Sequence, residues 1–438
     1  RNPQSAIRNP QSAIRNPQSA IRNPQSAIRN PQSAIRNPQS AIQMIPRVAL
    51  LIETTRTYTR EILAGVRRYV AEHGSWSTFV ELRSPDSPPP PWLKNWQGDG
   101  ILTRTFTPAM NRAVTATGLP AVELRSTSLP HDRPFVGVDN GLIGQAVAEH
   151  FLNRGYRHFA VYGLTTETFF IQRVQNFVTR LQQRGLPCTQ LTGSTSDRPA
   201  DWEASQTRLI AQLRSLPKPV GIFAANDQLG VHLLDACLRA GLAVPEEIAV
   251  VGCENDETLC TLATPPLTSV ELDGPRVGYE AARLLDQLMR TTHKPKARRT
   301  PKSALPNPHS AILIPPRQII TRESSDDLVI TDPLVARASR LIRQRSHEGL
   351  TVDDLCLALH ASRSTLERRM KAALGRTPKD EILRLRFRDV ERLLLTTDLT
   401  LDQIAERTGF THASYFQAAF RARYDLPPGT WRQSHTNP

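Results

Sequence analysis

An α/β region made of two lobes, followed by a smaller all-α region with two helix-turn-helix units, is the fold class that this sequence predicts. Three observations predict it. From about residue 47 to 290, short apolar stretches of strand composition alternate with stretches whose apolar residues recur at helical spacing. From residue 332 onward only the helical period remains. In this closing region a short motif occurs twice, on either side of a long amphipathic stretch.

The chain opens with six copies of the heptad RNPQSAI, residues 1–42. A Pro in every seventh position breaks a continuing helix, and two apolar residues per heptad cannot form a coiled-coil seam, so 1–43 is expected to be low-complexity and without a fold. Identical copies are what an expanded short DNA repeat encodes. Met44 stands just before the first credible strand, and translation of the native protein is expected to begin there. Tryptic NPQSAIR peptides from the native protein would contradict that.

Residues 44–290 carry the alternation. RVALLIE, FVEL, DGILTR, AVELR and FVGVDN read as strands, with a helix over 58–72 that has Ile62, Leu63, Val66 and Tyr69 on one side. Then follow a helix over 142–152, strand HFAVYGL, helices over 171–184 and 202–213, strand VGIFAAND, a helix over 228–240, strand IAVVGC and a helix over 275–289. Short apolar strands between amphipathic helices require parallel sheets covered on both faces. Their number fits two lobes with a cleft between them at the carboxyl ends of the strands. Residues 291–331 read as a linker with a returning strand, and its Pro-rich beginning, 291–310, as a surface excursion.

Strand ends therefore supply the candidate ligand contacts. Asp227 closes VGIFAAND, Glu254 and Asn255 follow IAVVGC, Asp139 and Asn140 end FVGVDN, and Tyr58 starts the first helix. Carboxylates and an amide converging on a cleft accept from and donate to a polar ligand. Asp227 is equally a good helix cap and Asp139 a good turn former, roles that need no ligand.

The doubled motif lies in residues 332–438. In LTVDDLCLALHASRSTLERRMKAALG, Thr351 is the expected N-cap, and Val352, Leu355 and Leu359 form one apolar stripe. His360-Ala361-Ser362 interrupts the period, Ser362 caps a second helix, and Leu366, Met370 and Leu374 bury its inner face. Arg363, Ser364, Thr365, Glu367, Arg368 and Lys371 are left outward. Such a face suits a major groove, where an Arg forks onto a guanine edge and hydroxyls and flanking cations meet bases and phosphates. The second copy, LTLDQIAERTGFTHASYFQAAFRARYDLPPGTWR, uses Leu401, Ile404 and Ala405, turns at Gly409, and has Thr411 as the expected cap. Tyr415, Phe416, Ala419 and Phe420 are expected inward, leaving Ala413, Ser414, Gln417, Ala418 and Arg421 for DNA. Between the copies, one amphipathic helix begins at Pro378 and buries Ile382, Leu385, Val390, Leu393 and Leu394. It would hold both reading helices on one face of a duplex, about one helical turn apart.

Composition agrees. The formal charge is +14, which favours a polyanionic partner, but six Arg belong to the repeat and another group to HKPKARRTPK. Residues 332–438 carry 18 Lys and Arg against 13 Asp and Glu. Cys188, Cys237, Cys253, Cys260 and Cys356 form no CxxC pair and no cluster at metal spacing, so reduced thiols in a cytoplasm are expected. Neither a membrane span nor a signal core is visible in the sequence. With no G-x-S-x-G, P-loop or Gly-rich dinucleotide turn, no catalytic residue, metal or cofactor is called for. A carboxylate pair could suggest glycoside hydrolysis.

SRSTLERRMKAALGRTP, RFRDVERLLLTTDLTLDQIAERTGF and YFQAAFRARYDLPPGTWR together resemble the DNA-binding domain of AraC-type transcription regulators, over about a hundred residues. The resemblance implies base-facing roles for Ser364 and Arg368 in the first reading helix and for Ser414 and Gln417 in the second. Ala418 departs from the family's long polar residue. VDNGLIGQAVAEHFLNRGYRHFAVYGL, VGIFAANDQLGVHLLDACLRAGLAVPEEIAVVGCEND and TPPLTSVELDGPRVGYEAARLL resemble the sugar-sensing domain of LacI-type repressors, of the type I periplasmic-binding-protein fold. That likeness makes Arg173 a ligand contact and implies carboxylates that bind a sugar without cleaving it. Glu254 stands where its pattern has Asp. A LacI-like sensor followed by an AraC-like reader is the order of the xylose-operon regulators, which the chain resembles from about Arg47 to Trp431. What the resemblance implies is a cytoplasmic transcription regulator: a homodimer on double-stranded DNA, with a xylose-like sugar as effector and activation through RNA polymerase. A ligand-released repressor and a sugar-binding protein without DNA function are the rival readings.

Overall fold

The computed structural model describes residues 45–165, 167–192, 202–292, 311–326, 329–330 and 332–436; the repeat, the start proposed at Met44 and most of the Pro-rich stretch 291–310 lie outside them. The first lobe comprises β1 (Arg47–Leu51), α1 (Thr57–His73), β2 (Ser77–Val80), β3 (Gly100–Thr103), α2 (Pro108–Ala116), β4 (Ala121–Glu123) and β5 (Phe135–Val138). α3 (Asn140–Asn153) leads into the second lobe: β6 (His158–Tyr162), α4 (Thr168–Gln182), β7 (Cys188–Leu191), α5 (Trp202–Ser215), β8 (Val220–Ala224), α6 (Asp227–Ala240), β9 (Ile248–Glu254), α7 (Glu257–Leu262) and β10 (Thr268–Glu271). α8 (Gly274–Thr292) returns to pack on α1, and β11 (Ala311–Ile314) and β12 (Gln318–Ile320) follow.

Each lobe is a six-stranded sheet, in the orders β11-β5-β4-β3-β1-β2 and β12-β10-β9-β8-β6-β7. All pairings are parallel except that of β12 on β10. The linker thus contributes two strands, one to each sheet, where one was expected. The chain consequently passes between lobes three times, through β5–α3, β10–α8 and β11–β12. Burial explains which strands are apolar throughout: β8 (VGIFA) is buried along its whole length, whereas β7 (CTQL) is exposed in its middle and carries no apolar run. α1 and α8 approach backbone to backbone at two glycines. A Cβ on Gly65 would lie 2.0 Å from the Pro275 carbonyl oxygen and one on Gly278 1.9 Å from that of Ile62, so no larger residue fits either position.

The remaining helices are α9 (Pro333–Arg345), α10 (Val352–Leu359), α11 (Arg363–Leu374), α12 (Pro378–Thr396), α13 (Leu401–Arg407), α14 (Ala413–Tyr424) and α15 (Pro428–Thr436). They enclose two small cores. Leu355, Leu366, Met370, Ile382 and Leu385 close on α9 in one; Phe387, Val390, Leu394, Ile404, Phe416 and Phe420 close on Trp431 in the other. α12 contributes to both, its 19 residues spanning about 28 Å at the α-helical rise. Thr351, Thr377 and Thr400 each form a capping box, and Ser362 caps α11 through the Thr365 N–H.

Two expectations for the second motif need correction. Thr411 is not the cap of α14: His412 holds that position and makes no side-chain cap bond. Tyr415 is not in the core but 48% exposed, because a helix starting at Ala413 turns Phe416 and Phe420 inward and leaves Tyr415 leaning on the Phe410 ring at 6.1 Å. No described helix is long and apolar enough to cross a membrane.

Candidate functional site

Between the lobes lies a cavity of about 320 Å³. The carboxyl ends of the strands and the helices that follow them bring charged groups of both signs to its wall. Glu53, two residues past β1, is 3% exposed and accepts from Arg104 Nε through both oxygens at 2.9 and 3.0 Å. Arg104, directly after β3, also donates to the Leu124 carbonyl at 3.2 Å and lies 5.6 Å over the Tyr58 ring. Arg125 follows β4, packs its guanidinium 3.9 Å over Phe106, and pairs with Glu167 of the opposite lobe.

The second lobe contributes Arg173 from α4 and Glu254 from the end of β9. Arg173 donates through Nε to Asn140 Oδ1 at 3.0 Å and through Nη1 to the Ala225 carbonyl at 2.7 Å, with Glu254 Oε1 at 3.5 Å. Glu254 also faces Arg56 of the first lobe at 3.6 Å. Four guanidiniums, the four carboxylates of Glu53, Asp86, Glu167 and Glu254, and the rings of Tyr58, Phe106 and Phe169 therefore share one wall. Burial pushes the Tyr58 phenol up to about 12, so it remains a donor at neutral pH. Burial, and then the charge of Arg104, lowers Arg125 to about 10, which leaves it cationic. For Arg104 burial opposes the charge, but Glu53 and its neighbours outweigh that and raise the group above its ordinary value.

Of the residues named from sequence, Tyr58, Asn140, Arg173 and Glu254 line the cavity. The other three do not. Asp139 turns its carboxylate onto the Leu142 N–H at 3.0 Å, capping α3. Asp227 is buried, accepting from Ser269 Oγ at 2.5 Å and the Asp256 N–H at 2.8 Å, and burial pushes it up to about 7. It does not cap α6 either, since Asn226 does. Asn255 accepts from Arg322 Nη2 through its Oδ1 at 2.9 Å. Glu53, Arg104 and Arg125 were missed, although each is the last residue of a stretch read as a strand: RVALLIE, DGILTR and AVELR. The rule that found Glu254 finds them too when it is applied to the first lobe.

On α11, Arg363, Ser364, Arg368 and Lys371 are exposed and Thr365 is half-buried, its Oγ1 accepting from Ser362 at 2.8 Å. Arg363 is held by Glu367 at 2.9 Å and faces Asp353 at 3.6 Å. On α14, Ser414, Gln417, Ala418 and Arg421 are exposed, Ala413 is half-buried, and Tyr415 joins that surface. Both reading faces turn away from the two cores of the helical region. Arg386 joins its halves from within: it is buried in α12 and donates to the Ser346 and Leu350 carbonyls at 2.8 and 2.9 Å.

Comparison with known proteins matches both regions of the chain. Residues 148–325 match a periplasmic binding protein-like domain and 355–434 a helix-turn-helix domain. The xylose operon regulatory protein of Haemophilus influenzae is 30% identical over 398 residues, covering 88% of this chain and 98% of that protein. The chain belongs to the family of xylose operon regulatory proteins. Another such regulator, from Escherichia coli K12, is 29% identical over 401 residues, covering 88% of this chain and 96% of that protein. Among solved structures, a xylose-binding transcription activator superposes with a TM-score of 0.72 at 27% identity, covering 90% of this chain and all of that one. As a xylose operon regulator the chain is a transcription regulator with a helix-turn-helix reader, not an enzyme.

Proposed function

We propose that xylose, or a pentose close to it, binds between the lobes of a cytoplasmic homodimer and changes how α11 and α14 meet paired operator half-sites, activating transcription through RNA polymerase. Residues 44–290 act as the sensing domain, 291–331 as linker and 332–438 as reader. The cavity supports a neutral polyol. Carboxylates accept from vicinal hydroxyls, guanidiniums donate to them, and aromatic rings cover the C–H faces. The observation that carries the reading is that polar contacts cross the mouth of the cleft: Arg125 with Glu167, Ser126 Oγ with Gln172 at 3.0 Å, and Arg56 with Glu254 at 3.6 Å. A ligand among these groups touches both lobes at once, so it binds the closed arrangement better than the open one and shifts the population toward it. The relatives named for xylose favour that sugar over others.

Direct titration tests this. Calorimetry of the purified protein with xylose, arabinose, ribose and glucose is expected to give saturable binding that is tightest for xylose. Absence of binding by any pentose would remove the effector from this account, and tighter binding of glucose would remove the pentose assignment.

A further inference from the structure

Glu254 and Asn255, consecutive at the end of β9, both have left-handed backbone, with φ of 112° and 50°. Non-glycine residues keep such geometry only where their surroundings impose it. Three hydrogen bonds hold this turn: the Asn255 N–H donates to Ser269 Oγ at 3.0 Å, the Asp256 N–H donates to Asp227 at 2.8 Å, and Arg322 Nη2 donates to Asn255 Oδ1 at 2.9 Å. Glu254 thereby reaches the cavity, while Asn255 is tied to the segment just after β12.

Arg322 follows β12. Its Nη1 donates to the Leu267 carbonyl at 3.0 Å and its backbone N–H to Thr268 Oγ1 at 2.8 Å. The next residues, Glu323–Ser325, make a 3-10 turn pinned under the second sheet, where Ser324 Oγ donates to the Val250 carbonyl at 2.6 Å. The carboxylates of this turn hold the reader. Glu323 pairs with Arg388 at 3.0 Å and Asp326 with Arg384 at 2.7 Å, both arginines standing on α12, the helix that joins the two reading units. A third pair, Glu246 with Arg343 of α9 at 2.8 Å, lies beside them. The Glu323–Arg388 pair is about one-fifth exposed, so it is screened less than a surface pair.

We propose that Arg322 is a positioning residue that carries the state of the effector cleft to α12. Its side chain grips the turn that aims Glu254, and its backbone begins the turn whose carboxylates grip the reader. When the sugar engages Glu254 and the 254–255 turn adjusts, the Asn255–Arg322 bond makes residues 323–326 follow, and α12 follows them. This inference rests on the reading that a sugar in the cleft controls DNA binding, and it adds the residues through which control passes.

Asn255 separates relay from scaffold. Asn255→Gly removes the acceptor while glycine adopts the positive φ freely, and Asn255→Asp keeps an acceptor at the same place. Arg388→Gln cuts the far end. For each, xylose binding is measured by calorimetry and operator affinity by fluorescence anisotropy with and without xylose. Asn255→Gly and Arg388→Gln are expected to bind xylose within about twofold of the wild type yet lose at least about fivefold of the sugar-dependent change in operator affinity, a size typical of coupling between sites. Asn255→Asp is expected to retain that change. A wild-type response in Asn255→Gly overturns the proposal, and so does loss of xylose binding in that variant, which would show that the Asn255–Arg322 bond only holds Glu254 in place. If the wild type binds xylose and its operator affinity does not change, the underlying reading itself has failed, and the variants are not needed to see it.

Discussion

Arg173 shows how much one side chain does at the cleft. Its guanidinium satisfies Asn140 and the Ala225 carbonyl and still faces Glu254, so removing it leaves buried acceptors unpaired and an unbalanced carboxylate. Arg173→Ala is expected to weaken xylose binding about 10- to 100-fold in calorimetry, the range for a lost hydrogen bond to a charged group, and Lys cannot restore the fork. Arg368→Ala, at the exposed centre of α11, is expected to cost about 1–3 kcal/mol of operator affinity and leave xylose binding unchanged, read by anisotropy and calorimetry on one preparation. Glu381 governs acid stability. It is 2% exposed and receives Arg384 through both oxygens; burial alone would raise its pKa, but Arg384 and Arg376 outweigh burial and hold it at about 2 against an ordinary 4.5. A depressed carboxylate contributes fully above its unfolded pKa and loses its contribution as pH falls toward its folded one. Urea melts are therefore expected to lose about 3 kcal/mol from this group between roughly pH 4.5 and 2, and Glu381→Gln to remove that share of the slope while the depressed Asp332, Asp354 and Asp380 keep the rest. This last role was not legible in the sequence, because Glu381 and Arg384 look like an ordinary exposed pair on a basic helix until α12 is buried on both sides.

At the scale of elements, legibility followed periodicity. α10, α11 and α12 have clean helical spacing and cap signals, and their starts at Thr351, Ser362 and Pro378 stand where pattern placed them. α2, α7 and β7 are short or exposed and gave no such signal. Tyr415 was misplaced because an aromatic beside Phe416 reads as core, whereas position on the helix is decided by where α14 starts. Gly409 was found for the right reason and has a further one. Its φ is 77°, and a Cβ there would lie 2.4 Å from the Ser346 carbonyl oxygen, so the second reading unit abuts the loop before the first. Gly409→Ala is expected to destabilise the helical region by about 1–3 kcal/mol in urea melts while leaving the xylose affinity of the lobes intact. An equal loss of sugar binding would mean that the helical region and the lobes do not fold as separable units.

Across the whole molecule, three crossings join two intact sheets, and the third leads through β12 into the turn that grips α12. The lobed class was legible because buried parallel strands are continuous apolar runs. The contacts between sensor and reader were not, because they are single charged residues in a linker, where sequence gives no reason to prefer one partner over another. The claim on which everything depends is that sugar in the cleft changes the reader's hold on DNA. It is tested most directly by fluorescence anisotropy of the wild-type chain on an operator fragment at fixed salt, with and without saturating xylose. The account predicts that xylose changes the affinity at least about fivefold and that Glu254→Gln greatly reduces that change. Equal affinity in both conditions, from protein shown to be saturated with xylose, would contradict it.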